Sequence, residues 1–382
     1  MNAASGLAGI PDALRVLLAV ASDAPAPVVD EMTWTQVPAL ARAHRMQGLL
    51  HRAMPSDAAW RVPDAVRQEV AADALAVAQQ SLLRVSALAA LCDAAASRGI
   101  PLLPYKGPVL SMLAYGAVGL RPAADVDVVI PRAHRARAAE MMIASGYRPT
   151  TTLPVPLHER LHAHLGASPW SGENGLVELH WRLCEVGLPW SMDASELLAR
   201  ATTVPLAGRS MPVPSPDDLL LQLAWHGGRH AWEQLEWLAA VAALVRARQP
   251  DWPALTARAV AYGGRRPVVL MQSLLAEWLG AAPAPRAEPW LVQARAQVAA
   301  QYVRQRTLFV EDRRAYRRFL RLLLDRPSDR IRLAASQLML PTEADARAVQ
   351  LPAALWPLYV PLRLLRLGLR AVGIGRQGES PS

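Results

Sequence analysis

Phenylalanine is nearly missing from this chain of 382 residues, which holds 2 Phe and 7 Tyr. Aromatic and β-branched residues are the better strand formers, so their scarcity excludes a large sheet, and the abundance of Ala and Leu predicts a mostly helical protein. Cysteine is equally scarce. Cys92 and Cys184 stand far apart, with no CxxC and no Cys/His ligand spacing around them. That excludes a disulfide framework and a structural zinc site and fits a reducing cytoplasm. Long apolar runs are lacking too. The stretch around residues 14–21 is too short to span a bilayer, carries Asp12 and Arg15, and has no basic leader, so it reads as neither signal nor anchor. Nothing else in the chain is uninterrupted enough to span.

Hydrophobic mass, by contrast, is plentiful: at 52% hydrophobic residues the chain can bury a sizeable core, and its length suggests two or three packed units. The 41 Lys+Arg against 32 Asp+Glu leave a formal charge of +9, which suits polyanionic partners such as nucleotides, nucleic acid or an anionic membrane. Nucleic acid is the weaker choice, because no basic patch carries interleaved aromatics. Arg313, Arg314, Arg317, Arg318 and Arg321 make a basic helical face, which is read as solvated.

Residues 10–99 read as helices, with apolar positions recurring through Leu40, Ala41, His44 and Leu49 and then Val66, Leu75, Leu82, Val85 and Leu88. Pro63 opens the longer helix and Gly99 closes it. His44 and His51 have no third ligand nearby and are read as packing residues. Between 100 and 182 short apolar runs alternate with one-helix stretches, the texture of βα units. Strands are predicted at 101–105, 125–130, near 147–153 and at 176–183, with a helix from Pro108 and another over 132–145 ended by Gly146. From about 188 helical periodicity returns, and Pro216 and Asp217 start a helix expected to carry Trp225, His226, His230, Trp232 and Trp237. Residues 351–374 are apolar but interrupted by Arg363, Arg366 and Arg370 on one helical face. This amphipathic end is read as packed on the domain, with peripheral membrane contact as the rival. The expected fold is α+β: a small mixed sheet in an α/β core of residues 100–187, flanked by helical regions 1–99 and 188–382.

Asp125 and Asp127 alternate with Val126, Val128 and Val129, so on a strand both carboxylates share one face. Like charges that close are unfavourable unless a cation lies between them, and hard oxygen ligands suit Mg2+ or Mn2+. Glu178 and His180 share a polar face of the later strand LVELHW. If that strand lies beside the aspartates, three carboxylates converge, enough to hold metals for phosphoryl or nucleotidyl transfer. Lys106 and Gly107 precede a helix begun at Pro108, whose free N–H groups can receive phosphate. The glycine lets backbone approach a triphosphate, and Lys106 adds a point charge, with Arg121 as a second candidate cation and His180 as a neighbour. His226 and His230, spaced i and i+4 without a third ligand, are read as lining a cleft or capping their helix.

Strand, KG turn and helix, then Arg and DxD on the next strand, then GY, then the acid of VELHW: this order resembles the bacterial nucleotidyltransferase-like family of the DNA polymerase beta superfamily. The resemblance runs over about residues 35–370, including the WHGGRHAWEQLEWL segment, read as one helix, and the closing LPTEAD and LYVPLRLLR segments. It implies that Asp125 and Asp127 are the metal-binding pair, Glu178 the third acid, and Lys106 and Gly107 the nucleotide-binding turn. It departs from the family's usual Gly-Gly or Gly-Ser turn, since Gly107 is followed by Pro108 and a longer gap, and Ala239 and Ala240 stand where an acid is expected. The implied activity is metal-dependent transfer of a nucleoside monophosphate from a nucleoside triphosphate to an acceptor. The alternative is a nucleotide- or partner-binding protein that keeps the fold without turnover.

Overall fold

The computed structural model describes residues 9–371 apart from 26, 55–59, 152, 185–186 and 306–311. The last positions of the 351–374 segment, Ile374 included, lie outside the described residues.

Pro63 precedes and Gly99 follows the long N-terminal helix, as expected. Helices α1 (Asp12–Ser22), α2 (Glu31–Ala43), α3 (Gln47–Ala53) and the 33-residue α4 (Asp64–Ala96) make up this region. Asp30 caps α2 by accepting from the Thr33 N–H at 2.8 Å. Along α4 the buried stripe is Val66, Val70, Ala74, Val77 and Ser81, while Leu75 and Leu82, expected inside, are 60% and 58% exposed. By length and composition α4 is apolar enough to cross a bilayer, which the sequence reading did not anticipate. Its buried stripe at helical spacing is that of a helix laid on a core.

The sheet forms from β1 (Leu103–Pro104), β2 (Asp125–Val129), β3 (Arg148–Pro149), β4 (Ala167–Gly172) and β5 (Gly175–His180), in the order β1-β2-β5-β4-β3. Only the central β2/β5 pair is parallel, so the sheet is mixed, as expected for an α+β fold. Helices α5 (Gly107–Tyr115), α6 (Arg135–Ala144) and α7 (Val155–Leu165) connect the strands. The predicted strand at 147–153 shrinks to two residues, since Pro149 has no N–H to continue a ladder. Strand β4 was not predicted; it pairs with β5 through a tight turn at Glu173 and Asn174, and Pro169 within it hides the pattern.

The predicted strand 176–183 ends at His180. Beyond it, β6 (Arg182–Cys184) pairs with β7 (Ser191–Asp193) in a separate small sheet. After the short α8 (Ala194–Ala199), a hairpin of β8 (Thr202–Leu206) and β9 (Arg209–Val213) stands where helix was expected. Its Ala207-Gly208 turn has φ of +53° and +71°, the positive values a twisted two-residue hairpin loop requires.

The tryptophan-rich segment is not one helix. It divides into α9 (Pro216–Arg229) and α10 (Leu235–Arg248), with His230 as the C-cap and Ala231 and Trp232 at positive φ. The Trp232 ring folds back over Gly227, where a Cβ would come within 2.6 Å of it, so a side chain there would block the reversal. The remaining helices are α11 (Trp252–Ala261), α12 (Arg265–Leu279), α13 (Pro289–Arg304), α14 (Arg313–Leu323), α15 (Pro327–Met339), α16 (Glu343–Ala348) and α17 (Tyr359–Ala371). On α17, Arg363 and Arg366 point inward, each 2.8 Å from Asp345, which is 3% exposed.

One hydrophobic cluster joins the N-terminal helices to the helices after the sheet, with Leu14, Leu17, Trp34 and Leu50 packed among residues such as Leu220, Leu238, Leu270 and Leu274, while Ala346 and Tyr359 near the C-terminus pack separately on Leu157 and Leu161 of α7. A second lies beneath the sheet and contains Leu88, Leu91, Val126, Val128, Met141 and Val177, joined by Val204 and Met211 of the hairpin. Val126 and Val128 thus anchor one face of β2, which leaves its other face for the aspartates.

Candidate active site

Strand alternation sets the site. With the valines buried below, Asp125 and Asp127 lie on the opposite face of β2, and parallel register places Asp127 beside Glu178 and Asp125 beside Leu176. Period two on β5 then puts His180 on the same face as Glu178. Its Nε2 lies 3.1 Å from Glu178 Oε2, 3.3 Å from Asp127 Oδ1 and 3.0 Å from the Tyr105 hydroxyl. Asp127, Glu178 and His180 offer ligand atoms all within 4.8 Å of one another. Asp125 faces the same cleft but stands outside that closest group.

The electrostatics show how the acids tolerate one another. Burial alone would push the Asp127 carboxyl up, but Lys106 at 3.7 Å and the His180 hydrogen bond hold it well below the ordinary range. Burial would likewise raise Glu178, but the His180 charge and hydrogen bond, with Lys106, together hold it below its ordinary range. Burial and then the neighbouring Asp127 raise Asp125 instead. Burial works against a charged His180, yet Glu178 and Asp127 push it up to about 9, so an imidazolium sits between the carboxylates. The donor set fits a hard divalent cation: carboxylates from adjacent strands meet at one point, with an imidazole beside them.

Lys106 is the only lysine in the chain, a signal the sequence reading passed over. It is the N-cap of α5, at the strand-to-helix turn that the sequence predicted, and the helix starts at Gly107. Gly107 has φ +54°, and a Cβ there would lie 3.2 Å from the Asp125 carbonyl oxygen, so the turn presses against the strand that carries the acids.

Arg121 forms a buried pair with Glu236, Nε to Oε1 at 2.8 Å, with the Glu236 side chain fully buried. Its charge is therefore already matched, although it still lines the cleft. Glu236 went unrecognised in the sequence: the acid precedes the Trp-Leu pair of the α10 segment, where the family pattern expects one after it.

The cleft, about 630 Å³, opens between this sheet face and α9 and α10. His226, His230 and Trp237 form its far wall, the His226 and His230 rings 4.7 Å apart and each packed on Trp237. Burial and then Lys106 keep His226 far below its ordinary pKa; burial and then Arg229 lower His230 to about 3. Both are neutral wall residues, as their cleft-lining reading expected.

A small mixed sheet that opposes an alternating aspartate pair to an acid on the parallel neighbour, beside a Lys-Gly turn, defines a nucleotidyltransferase fold. The chain belongs to the family described as "Uncharacterised nucleotidyltransferase", whose profile matches residues 30–280. Among solved structures it is similar to the antibiotic-resistance factor ANT(2'')-Ia, studied in solution for substrate-regulated conformation dynamics. That match has 15% identity, covers 46% of this chain and 97% of that chain, and has a TM-score of 0.30. At that level it bears on neither the site nor the substrate. No curated protein matches the chain.

Proposed function

We propose that the protein transfers a nucleoside monophosphate from a nucleoside triphosphate to an acceptor hydroxyl or phosphate, with Asp125, Asp127 and Glu178 holding Mg2+ or Mn2+. The observation that carries this reading is the parallel register of Asp127 with Glu178, both facing one cleft. When bound, the metal supplies charge stabilisation for the phosphates. Lys106 offers its charge to the outer phosphates, and the Gly107 turn gives them close approach to the free N–H groups of α5. The acceptor oxygen bonds to the α-phosphorus, the bond to the β-phosphate breaks, and pyrophosphate leaves. Glu178 takes the acceptor's proton in this reading, which its being the most exposed of the clustered groups, at 38%, supports. His180 steers that carboxylate through its hydrogen bond.

A second reading, nucleotide or partner binding without turnover, draws on Arg121 being matched by Glu236 and on the Pro108 that follows the turn. Incubating the protein with each labelled nucleoside triphosphate, Mg2+ and cell extract tests between them. A labelled adduct formed only with protein and metal supports transfer; nucleotide binding with no adduct from any triphosphate supports the second reading.

A further inference from the structure

The last helices leave apolar side chains on their outward faces. On α17, Arg363 and Arg366 turn in: Arg363 donates to the Gln337 and Leu338 carbonyls and, with Arg366, pairs with Asp345. The opposite side of the same helix carries Leu364, Leu365 and Leu369, which are 45%, 61% and 40% exposed. Its neighbour α15, whose C-terminal carbonyls Arg363 caps, also turns an apolar stripe outward. Ile331, Ala334, Ala335 and Leu338, at i, i+3, i+4 and i+7, are all exposed, Ile331 by 73%. That spacing is the stripe a helix normally buries, whereas isolated surface leucines are common and need no partner.

We propose that these outward faces of α15 and α17 dock on an anionic lipid surface. Charge selects this occupant. Arg330 and Arg332 are exposed and lie about 100° to either side of Ile331 on the helix, where their stems can follow apolar surface and their heads can reach lipid phosphates. The adjoining α14 exposes Arg313, Arg314, Arg317, Arg318 and Arg321. A chain of formal charge +9 is drawn to an anionic bilayer and repelled by a second copy of itself. Aliphatic side chains without hydrogen-bonding groups ask only for an apolar layer, which lipid provides. The proposal does not depend on the chemistry assigned to the cleft.

The test is sedimentation of the full-length protein with sucrose-loaded vesicles of phosphatidylcholine alone or mixed with phosphatidylglycerol. The wild type is expected to pellet with the mixed vesicles, less at high salt, and to stay in solution with phosphatidylcholine. Leu365→Glu combined with Leu369→Glu should lower the bound fraction on the order of tenfold at nearly unchanged melting temperature, because charge replaces apolar surface at exposed positions outside the hydrophobic clusters. Ile331→Glu combined with Leu338→Glu should do the same from the other helix. Wild-type protein left in the supernatant, equal pelleting with both vesicle types, or double variants that bind as well as wild type would overturn the proposal. So would a wild-type dimer in light scattering that the leucine variants convert to monomer, which would make the stripe an interface between copies.

Discussion

With divalent ions chelated, Asp127→Asn is expected to destabilise the protein, although repulsion from Asp125 alone would suggest the reverse. Asp127 is 4% exposed, lies 3.7 Å from the Lys106 ammonium and is 3.3 Å from His180. Those groups hold its carboxyl well below the ordinary range despite burial, so the fold favours the charged form and loses by neutralising it. Asparagine keeps an oxygen that can still accept from His180, so the loss is part of a charge-assisted hydrogen bond, about 1–2 kcal/mol. In a chain of 382 residues that is a fall in melting temperature of roughly 1–2.5 °C. A carboxyl with a depressed folded pKa contributes above its unfolded value of about 4 and loses that contribution as pH falls, so the gap to wild type should narrow in acid. Scanning calorimetry in EDTA, at neutral pH and in acid, measures both. A variant melting at or above the wild-type temperature at neutral pH would show that Asp125 repulsion outweighs Lys106 and His180, and the electrostatic account would fail.

Gly107→Ala places a Cβ against the Asp125 carbonyl at φ +54°, costing about 1–2 kcal/mol of left-handed strain, and should weaken triphosphate binding by calorimetry as well as the melt; unchanged values in both would show the turn is not constrained by β2. Glu236→Gln leaves the Arg121 guanidinium buried without its counter-charge, a loss of about 3 kcal/mol that denaturant unfolding would report, and an unaltered midpoint would mean Arg121 finds another partner. Burial lowers His44 to about 4, with a backbone hydrogen bond at Glu233 pulling the other way. The unfolded chain therefore binds the extra proton between about pH 6.5 and 4, so stability should decline through that window and level off below it. A melting temperature flat across it in wild type would count against a buried neutral imidazole.

Period two made the shared face of Asp125 and Asp127 legible, and the helix starts at Pro63 and Pro216 follow from local propensity. The convergence of Glu178 on Asp127 depends on which strands become neighbours, and the sequence offered that only through the family resemblance. Nonlocal pairings stayed hidden for the same reason: Arg121 meets Glu236 across 115 positions, and Arg363 of α17 meets Asp345 of α16. The break between α9 and α10 depends on Trp232 folding over Gly227, while β4 and the β8/β9 hairpin were masked by prolines and by an Ala-Gly turn of weak signature.

The central claim, that the acids facing this cleft carry nucleotidyl transfer, is tested most directly by the rate at which label moves from a nucleoside triphosphate to an acceptor, with pyrophosphate released, in the presence of Mg2+. Wild type, Asp127→Asn and Glu178→Gln should be compared at equal folded concentration. The account predicts metal-dependent transfer by wild type and a fall on the order of a hundredfold or more in each variant. Wild-type protein that binds triphosphate and Mg2+ yet releases no pyrophosphate with any extract, or variants that transfer as fast as wild type, would contradict it.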